Sequence, residues 1–446
     1  MKKIYLLFLV IIGSCCVLLL IAQQPGTPVD SQKTGSRFEQ QVEQNRTQMF
    51  QQGKQIFRFD TFGDEAFWGD ALRLHQAIAG EKNGGVGPGV SPKAALAVGL
   101  KVDADALPAE LVQQIKQGKV NLDDPATTVA LLKLNAVVGV TGHLDGQGRL
   151  NSMGIQCAFC HSTVDDSFSP GIGHRLDGWP NRDLNVGAIV SLAPNLQPLA
   201  DLLGVDVATV KKVLGSWGPG KYDAELNVDG IAMRPDGKAA ATLIPPAFGL
   251  SGISNHTWSG SRGTLPYWNA YVAVTQMHGS GTFIDKRLDV AANPIATKTK
   301  LGESRGMPDK VTAKLAALQY YQLSLPAPVP PENSFDSAAA KRGQQVFTTK
   351  AKCATCHVPP LFTEPGWNLH TPQEVGVDDF QAKRSPGEQG YRTAPLRGLF
   401  AHSKGGFYHD GRFSTLADVV EHYNSHLNLR LSEQEKTDLV EYLKSL

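Results

Sequence analysis

Methionine and cysteine are scarce in this chain, and their positions limit the kinds of site it can form. The chain has 446 residues and six methionines, of which Met307 is the last. No residue after Met307 can therefore supply a thioether ligand. Of the six cysteines, Cys15 and Cys16 lie in an apolar leader, and the other four form two pairs further along the chain.

An excess of charge of either sign is also lacking. The chain carries 43 basic and 42 acidic residues, so it has no long-range electric field that would attract nucleic acid or an anionic membrane surface. We expect no nucleic-acid partner, and any electrostatic steering must be local. A chain of this length can form two or three domains, each with its own core.

The four remaining cysteines lie in two copies of the motif Cys-x-x-Cys-His, at Cys157-Ala158-Phe159-Cys160-His161 and Cys353-Ala354-Thr355-Cys356-His357. Two thiols at this spacing can add to the two vinyl groups of a haem, and the adjoining histidine then serves as an axial ligand of the iron. The sequence therefore predicts two covalently bound c-type haems, with His161 and His357 as iron ligands. If the leader is removed, every remaining thiol is bonded to haem and no disulfide can form.

Two other kinds of site also use a Cys-x-x-Cys spacing. A structural zinc site needs four protein ligands, and the spare cysteines of this chain lie in the leader, where they cannot contribute. A thioredoxin-like dithiol does not require the histidine, and here the histidine is present twice. Both alternatives explain the motifs less well than haem does.

The leader predicts export. Met1-Lys2-Lys3 precedes a nearly continuous apolar run from Ile4 to Ala22, which is long enough to cross a bilayer. It can act as a signal peptide or as an uncleaved N-terminal membrane anchor. We expect a periplasmic protein, either soluble or tethered to the inner membrane, which agrees with the motifs because bacteria attach haem to them outside the cytoplasmic membrane.

A repeated pattern predicts the domain organisation. Gly53 and Phe57 recur as Gly343 and Phe347, ten residues before the second motif but 104 residues before the first, so the first haem domain must contain a large insertion. A stiff run rich in proline starts at Pro326. We expect a leader, a flexible tether, a first haem domain with insertions, a connector and a second haem domain, at residues 1–22, 23–35, 36–325, 326–333 and 334–446.

The residue patterns predict a mainly α-helical fold with long ordered loops. Apolar spacing indicates helices, and a hairpin of Val137–Thr141 with Arg149–Ile155 is expected around the turn 145–148. A capping box at Ser432 and Glu435 marks the start of the last helix. The other helices are expected at residues 36–57, 64–79, 109–116, 125–134, 205–216 and 311–323.

Several segments resemble the bacterial di-haem cytochrome c peroxidases, with MauG-type maturation enzymes and rubber oxygenases as relatives. The residues that carry the resemblance are Gly53 to Asp60, Ser162 to Arg182, Tyr391 to Arg397, Tyr408-His409-Asp410-Gly411, and Leu416 to Tyr423. The likeness is dense over the last hundred residues and patchy before them. It implies two cytochrome c domains that face each other.

The resemblance also implies roles at the first haem. In these peroxidases the histidine of the Ile-Gly-His segment is a second axial ligand that moves away to admit peroxide, and His174 occupies that position. The alternative is a surface histidine beside a glycine turn. Trp258 stands where the family has a tryptophan between the haems, although it could be a packing aromatic, with Trp179, Trp217 or Trp268 as the relay instead.

Gln276 stands at the position of the family's catalytic glutamate. A glutamine cannot take a proton from bound peroxide and return it to the leaving oxygen. The chain therefore departs here from the peroxidase pattern.

The second haem departs from the peroxidases in its sixth ligand. The family places a methionine fourteen residues after the histidine that corresponds to His409, and this chain has Tyr423 there. Tyr423 is then the ligand, as in MauG-type enzymes, or a core aromatic, in which case a histidine takes its place or the position stays open. Without a methionine, a lower reduction potential is expected. The candidate histidines are His402, His409, His422 and His426.

Three functions are compatible with these residues. The first is a peroxidase-like oxidoreductase, in which one haem activates hydrogen peroxide or oxygen and the other exchanges electrons with a small redox protein or a quinol-linked donor. The second is a di-haem electron carrier without catalytic activity. The third is a haem-dependent oxygenase of an apolar substrate. The family sometimes holds calcium between its domains, and Asp378 and Asp379 are candidate ligands, with a solvated acidic pair as the alternative.

Overall fold

The structure, a computed structural model, describes residues 36–260, 263–366, 368–384 and 390–446. The predicted leader and tether, 1–35, lie outside the described residues. The chain divides into two compact units, Met1–Thr47 and Gln48–Leu446. Within the first unit, the described residues Arg37–Thr47 are helical.

The described chain is mainly helical, as predicted. The α-helices, labelled α1 to α18 in chain order, are Arg37–Phe59, Leu74–Ala79, Pro92–Ala97, Ala109–Lys116, Pro125–Lys133, Ala158–His161, Val186–Val190, Gln197–Leu203, Val207–Trp217, Leu226–Asp229, Leu265–Tyr271, Pro294–Thr299, Leu315–Ser324, Ser337–Thr348, Pro372–Val375, Phe380–Arg384, Leu416–His426 and Glu433–Lys444. Short π-helical or 3-10 segments lie at Ala66–Ala71, Glu81–Asn83, Ala104–Ala106, Val272–Gln276, Lys286–Leu288, Thr312–Lys314, Cys353–Thr355 and Leu399–His402.

The strands form short two-stranded pairs. In chain order, β1 to β10 are Val102–Asp103, Val140–Leu144, Leu150–Ile155, Ser162–Val164, Ile172–Gly173, Arg175–Asp177, Lys221–Tyr222, Thr242–Leu243, Thr282–Ile284 and Glu303–Arg305. The pairs are β1 with β5 in parallel, and β2 with β3, β4 with β6, β7 with β8 and β9 with β10 antiparallel. The hairpin predicted around residues 145–148 is confirmed as β2–β3.

The repeated glycine marks two similar helix crossings. A Cβ atom on Gly53 would lie 2.0 Å from the carbonyl oxygen of Ala317 in α13, and one on Gly343 would lie 2.0 Å from that of Asp438 in α18. Only glycine allows this approach of two backbones. The aromatic one turn later packs on the same partner helix in both copies, with ring centroids 5.5 Å apart for Phe57 and Tyr321 and 5.2 Å apart for Phe347 and Tyr442.

The prediction of one helix over residues 64–79 is wrong. The π-helical segment Ala66–Ala71 ends before Arg73, whose φ of 57° lies in the left-handed region, and α2 starts at Leu74. The change of direction buries Trp68 and Leu74 in the same core. Periodicity did not reveal the break because both halves carry apolar residues at helical spacing.

Three main apolar clusters form the core. Two are built from residues 57–321 and the third from residues 347–443. Buried ion pairs join the later part of the chain to the earlier part: Arg384 contacts Asp229 at 2.7 Å and Asp223 at 3.0 Å. Across residues 36–260, 263–366, 368–384 and 390–446, no helix has the length and apolar character of a membrane span.

Candidate haem centres

The first Cys-x-x-Cys-His motif lines an apolar cavity. Strand β3 ends at Ile155, and the motif follows as the short helix α6, Ala158–His161. Gly139 holds this helix against the hairpin, because a Cβ atom there would lie 2.1 Å from Phe159 Cα. Cys157, Cys160 and His161 all line the cavity, which has a volume of about 290 Å³.

The second motif lines a cavity of its own. Helix α14 is followed by the 3-10 turn Cys353–Thr355, and Cys353, Cys356 and His357 line a cavity of about 540 Å³. His357 Nδ1 lies 3.0 Å from the carbonyl oxygen of Phe362. A histidine that donates Nδ1–H to a carbonyl keeps Nε2 available as a metal ligand.

The residues of both motifs fit a covalently bound haem. All four thiols are free, and burial raises the pKa of Cys157 and Cys160 to about 12 and that of Cys353 to about 11. Such thiols stay protonated at neutral pH, unlike the thiolates of a reactive dithiol. Burial lowers the pKa of His161 to about 4, so this imidazole is neutral, as an iron ligand must be.

The structure does not bring His174 to the first cavity. Its side chain is 53% exposed, and its Nδ1 atom lies 2.8 Å from Asp105 Oδ1. The backbone N–H of His174 donates to Asp165 Oδ1 at 2.8 Å, which holds the turn. In this geometry His174 is a surface histidine.

Gln276 lines the first cavity and forms a closed hydrogen-bond network. It lies at the end of the π-helical segment Val272–Gln276 and is 5% exposed. Its Nε2 donates to Ala224 O at 3.1 Å and to Thr275 Oγ1 at 3.0 Å. Its Oε1 accepts from the Tyr222 hydroxyl at 2.6 Å. Among the described residues, no aspartate or glutamate lines this cavity.

Trp258 lies at the boundary between the two cavities. Trp258 lines the second cavity, and the preceding residue, Thr257, lines the first. The indole N–H donates to Leu243 O at 2.8 Å, and Leu243 also lines the first cavity. Of the alternative tryptophans, Trp268 lines the first cavity, whereas Trp179 packs on Phe400 with ring centroids 5.6 Å apart.

The second cavity collects several candidates for a sixth ligand. Tyr423, His402 and His409 all line it, and the Nε2 atoms of both histidines are buried with no hydrogen-bond partner. His422 Nε2 instead lies 2.9 Å from Val375 O, and His426 Nε2 lies 3.2 Å from Glu374 O. These last two imidazoles bind backbone carbonyls.

The proposed calcium ligands have cationic partners. Asp378 accepts from Arg234 at 2.8 Å and from Arg412, and these contacts hold the pKa of its carboxyl well below the usual range despite burial. Asp379 pairs with Lys383 at 2.5 Å. Asp378 also lies close to His409 and Asp410 in a group that could hold a metal ion.

Comparison with curated proteins finds two relatives of part of the chain. The chain is 32% identical over 155 residues to the methylamine utilization protein MauG of Methylorubrum extorquens, and the aligned region covers 30% of this chain and 43% of MauG. It is 28% identical over 152 residues to the cytochrome-c peroxidase IdrP1 of Denitromonas iodatirespirans, and the aligned region covers 25% of this chain and 40% of that relative. Part of the chain is therefore similar to MauG and to a cytochrome-c peroxidase. The match spans less than half the length of these relatives, and no family model matches.

Solved structures resemble this chain only weakly. A MauG-like protein associated with microbial copper homeostasis is 19% identical, covers 49% of this chain and 76% of its own, and has a TM-score of 0.31. Hydrazine synthase from Kuenenia stuttgartiensis is 19% identical, covers 48% and 76%, and has a TM-score of 0.26. These scores are too low for a comparison of folds.

Three residues of the cavities were missed by sequence reasoning. Tyr222 lines the first cavity beside Gln276, and His256 lines it with its Nδ1 atom buried and unpartnered. Arg392 lines both cavities. None of the three belongs to a recognisable motif, although Arg392 follows Tyr391 in a segment that carries the family resemblance.

Proposed function

We propose that the chain is an exported di-haem c-type cytochrome with peroxidase-like oxidoreductase activity. The observation that carries the proposal is that each Cys-x-x-Cys-His motif lines its own cavity, and that Thr257 and Trp258 connect the two. The relationship to MauG and to a cytochrome-c peroxidase supports the same reaction class. In this proposal the first cavity binds peroxide or oxygen, and the second exchanges electrons with a small redox protein or a quinol-linked donor.

Haem bound in these cavities would supply one-electron chemistry and the binding of oxygen species. Cys157, Cys160 and His161 would hold it in the first cavity, and Cys353, Cys356 and His357 in the second. The protein's contribution is to bind, orient and desolvate. Most of the first cavity's lining is aliphatic or aromatic, so water is largely excluded from it.

Trp258 is the proposed electron relay between the cavities. Trp258 lines the second cavity, and its indole N–H donates to the backbone carbonyl of Leu243, which lines the first. This hydrogen bond fixes the plane of the indole. At the first haem, His174 can take part in this scheme only if its side chain leaves Asp105. At the second haem, the proposed sixth ligand is Tyr423, His402 or His409.

Among the residues that the structure describes, the first cavity has no carboxyl group that could serve as the acid–base group of a peroxidase. Gln276 occupies the glutamate position, and its amide has no titratable proton at neutral pH. Burial raises the pKa of Tyr222 well above its usual value, so the phenol stays protonated. Its one proton is donated to Gln276, which fixes both side chains. We therefore expect slow peroxide turnover by comparison with a cavity that contains a carboxyl group.

Oxygenation of an apolar substrate is a second candidate. The observation that favours it is the same absence of a lining carboxylate, within the described residues, from a cavity with a largely apolar wall. Such a cavity would bind a hydrocarbon better than a hydrophilic reductant.

The test uses the full-length protein made in a host that attaches c-type haem. Absorption spectra are recorded before and after hydrogen peroxide, together with peroxide-dependent oxidation of a reduced small cytochrome. Spectral change and turnover that are lost in the Cys157→Ala/Cys160→Ala variant support the proposal. Two unreactive haems would favour the electron carrier, and stable oxygen binding without peroxide turnover would favour the oxygenase. Cell fractionation tests periplasmic localisation.

A further inference from the structure

Arg392 is placed between the two cavities. Among the described residues, it is the one residue that lines both. Its Nε donates to Thr257 O and its Nη1 donates to Asn255 O at 3.1 Å, while its backbone N–H donates to Trp258 O at 3.3 Å. The guanidinium is thus fixed to the segment that separates the two cavities.

The charge of Arg392 has no counter-ion in the described part of the protein. The described ion pairs do not include Arg392, and two of its five N–H groups bind the carbonyls of Asn255 and Thr257. Three N–H groups therefore remain for another acceptor. Burial lowers the pKa of Arg392 to about 10, which still leaves it cationic at neutral pH. A partly buried cation without a counter-charge favours the binding of an anion beside it.

His256 adds a second polar group at the same position. It lies between the two residues whose carbonyls hold Arg392, it is 6% exposed, and its Nδ1 atom is buried without a partner. It lines the first cavity but not the second. A neutral imidazole with one free ring nitrogen can donate to an anion.

We propose that Arg392 is a shared binding residue for the carboxylate groups of the cofactors in both cavities, that His256 assists it in the first cavity, and that its charge raises the reduction potentials of both haems together. This inference rests on the proposed two haem centres. A haem carries two propionate side chains, which are the anions that such donors would bind. A nearby positive charge favours the reduced haem, since reduction adds one negative charge.

Arg182 provides the matched control. It is 5% exposed and lines the second cavity only, its Nε atom is buried without a partner, and burial lowers its pKa to about 10. Its Nη1 donates to Lys404 O at 3.3 Å. It therefore has the same chemistry as Arg392 but faces one cavity instead of two.

The experiment measures both midpoint potentials by spectroelectrochemical titration of the holoprotein. The variants are Arg392→Gln, Arg392→Lys and Arg182→Gln, with haem content per chain measured for each. Variants that lack the thiols of one motif assign the two potentials. Arg392→Gln should lower both potentials, Arg182→Gln should lower only that of the second haem, and Arg392→Lys should stay close to the wild type because it retains the charge.

Several outcomes would overturn the inference. Arg392→Gln could retain two haems and shift neither potential, or only one of them. Arg392→Lys could shift the potentials as much as Arg392→Gln, which would mean that Arg392 only supports the segment Asn255–Trp258. If the wild type fails to turn over peroxide while both potentials shift as stated, the proposed activity fails and this inference stands.

Discussion

Replacing Gln276 by glutamate should restore the acid–base group that the first cavity lacks. The amide Oε1 accepts from Tyr222 at 2.6 Å, and Nε2 donates to Ala224 O at 3.1 Å. A protonated glutamic acid can make the same two bonds, one as acceptor and one as donor. An ionised carboxylate cannot, because it would face the Ala224 carbonyl. The substitution is therefore tolerated only while the new carboxyl group stays neutral.

Burial decides the protonation state and its effect on stability. Position 276 is 5% exposed, so burial should raise the pKa of the new carboxyl group above its ordinary value of about 4.3. At pH values between the ordinary pKa and the raised pKa, the new carboxyl group is ionised in the unfolded chain and neutral in the folded one. As the pH rises through this window, the free energy of unfolding of the variant should therefore fall by about 1.4 kcal/mol for each pH unit, relative to the wild type. A neutral carboxyl group at working pH can act as a general acid, which is worth about 10²- to 10⁴-fold in rate.

The assay is peroxide-dependent oxidation of a reduced small cytochrome, measured as kcat/KM against pH with denaturation at the same pH values. Gln276→Glu should raise kcat/KM by about 10²-fold or more, the lower end of the range for general acid catalysis. Gln276→Met is the control: it removes both hydrogen bonds, should cost about 1–3 kcal/mol of stability and should give no gain in rate. A folded Gln276→Glu variant with two haems and unchanged turnover would refute the assignment of position 276 to the reactive cavity.

Three further predictions concern stability, and each is measured by denaturation. Gly343→Ala should cost about 1–3 kcal/mol or more, because its Cβ would lie 2.0 Å from a carbonyl oxygen, whereas Gly146→Ala has open space and should change little. Arg384→Met should lower the free energy of unfolding by about 3–5 kcal/mol, because two buried carboxylates lose their partner. An unchanged free energy of unfolding would contradict this prediction. Burial lowers the pKa of His278 to about 4. Between about pH 6.5 and pH 4 the unfolded chain therefore binds a proton that the folded protein does not, and the free energy of unfolding should fall by up to roughly 3 kcal/mol as the pH decreases through this range. His278→Asn should reduce that loss.

The local features of the fold could be predicted from the sequence because their causes are local. The hairpin around residues 145–148 follows from alternating strands and a turn rich in glycine. The capping box of Ser432 and Glu435 is present with both of its hydrogen bonds. The recurrence of Gly53 as Gly343 predicted two haem domains, and in the structure each glycine lies at a close helix crossing where a Cβ atom would collide with the partner backbone.

The composition of the cavities could not be predicted, because it depends on contacts between distant parts of the chain. Tyr222 and Gln276 are separated by 54 residues, and Arg392 contacts Thr257 across 135 residues. No spacing in the sequence reports such pairs. The resemblance to the di-haem peroxidases suggested that His174 lies over the first haem. In the structure, hydrogen bonds to Asp165 and Asp105 hold His174 at the surface.

The most direct test of the account is the number of haems bound covalently to each chain. The full-length protein is made in a host that attaches c-type haem, and haem is quantified by mass and by the pyridine haemochrome spectrum. Two haems per chain are expected, one of which is lost with Cys157→Ala/Cys160→Ala and the other with Cys353→Ala/Cys356→Ala. A protein without haem would contradict the account. So would a protein with a single haem that neither double substitution removes.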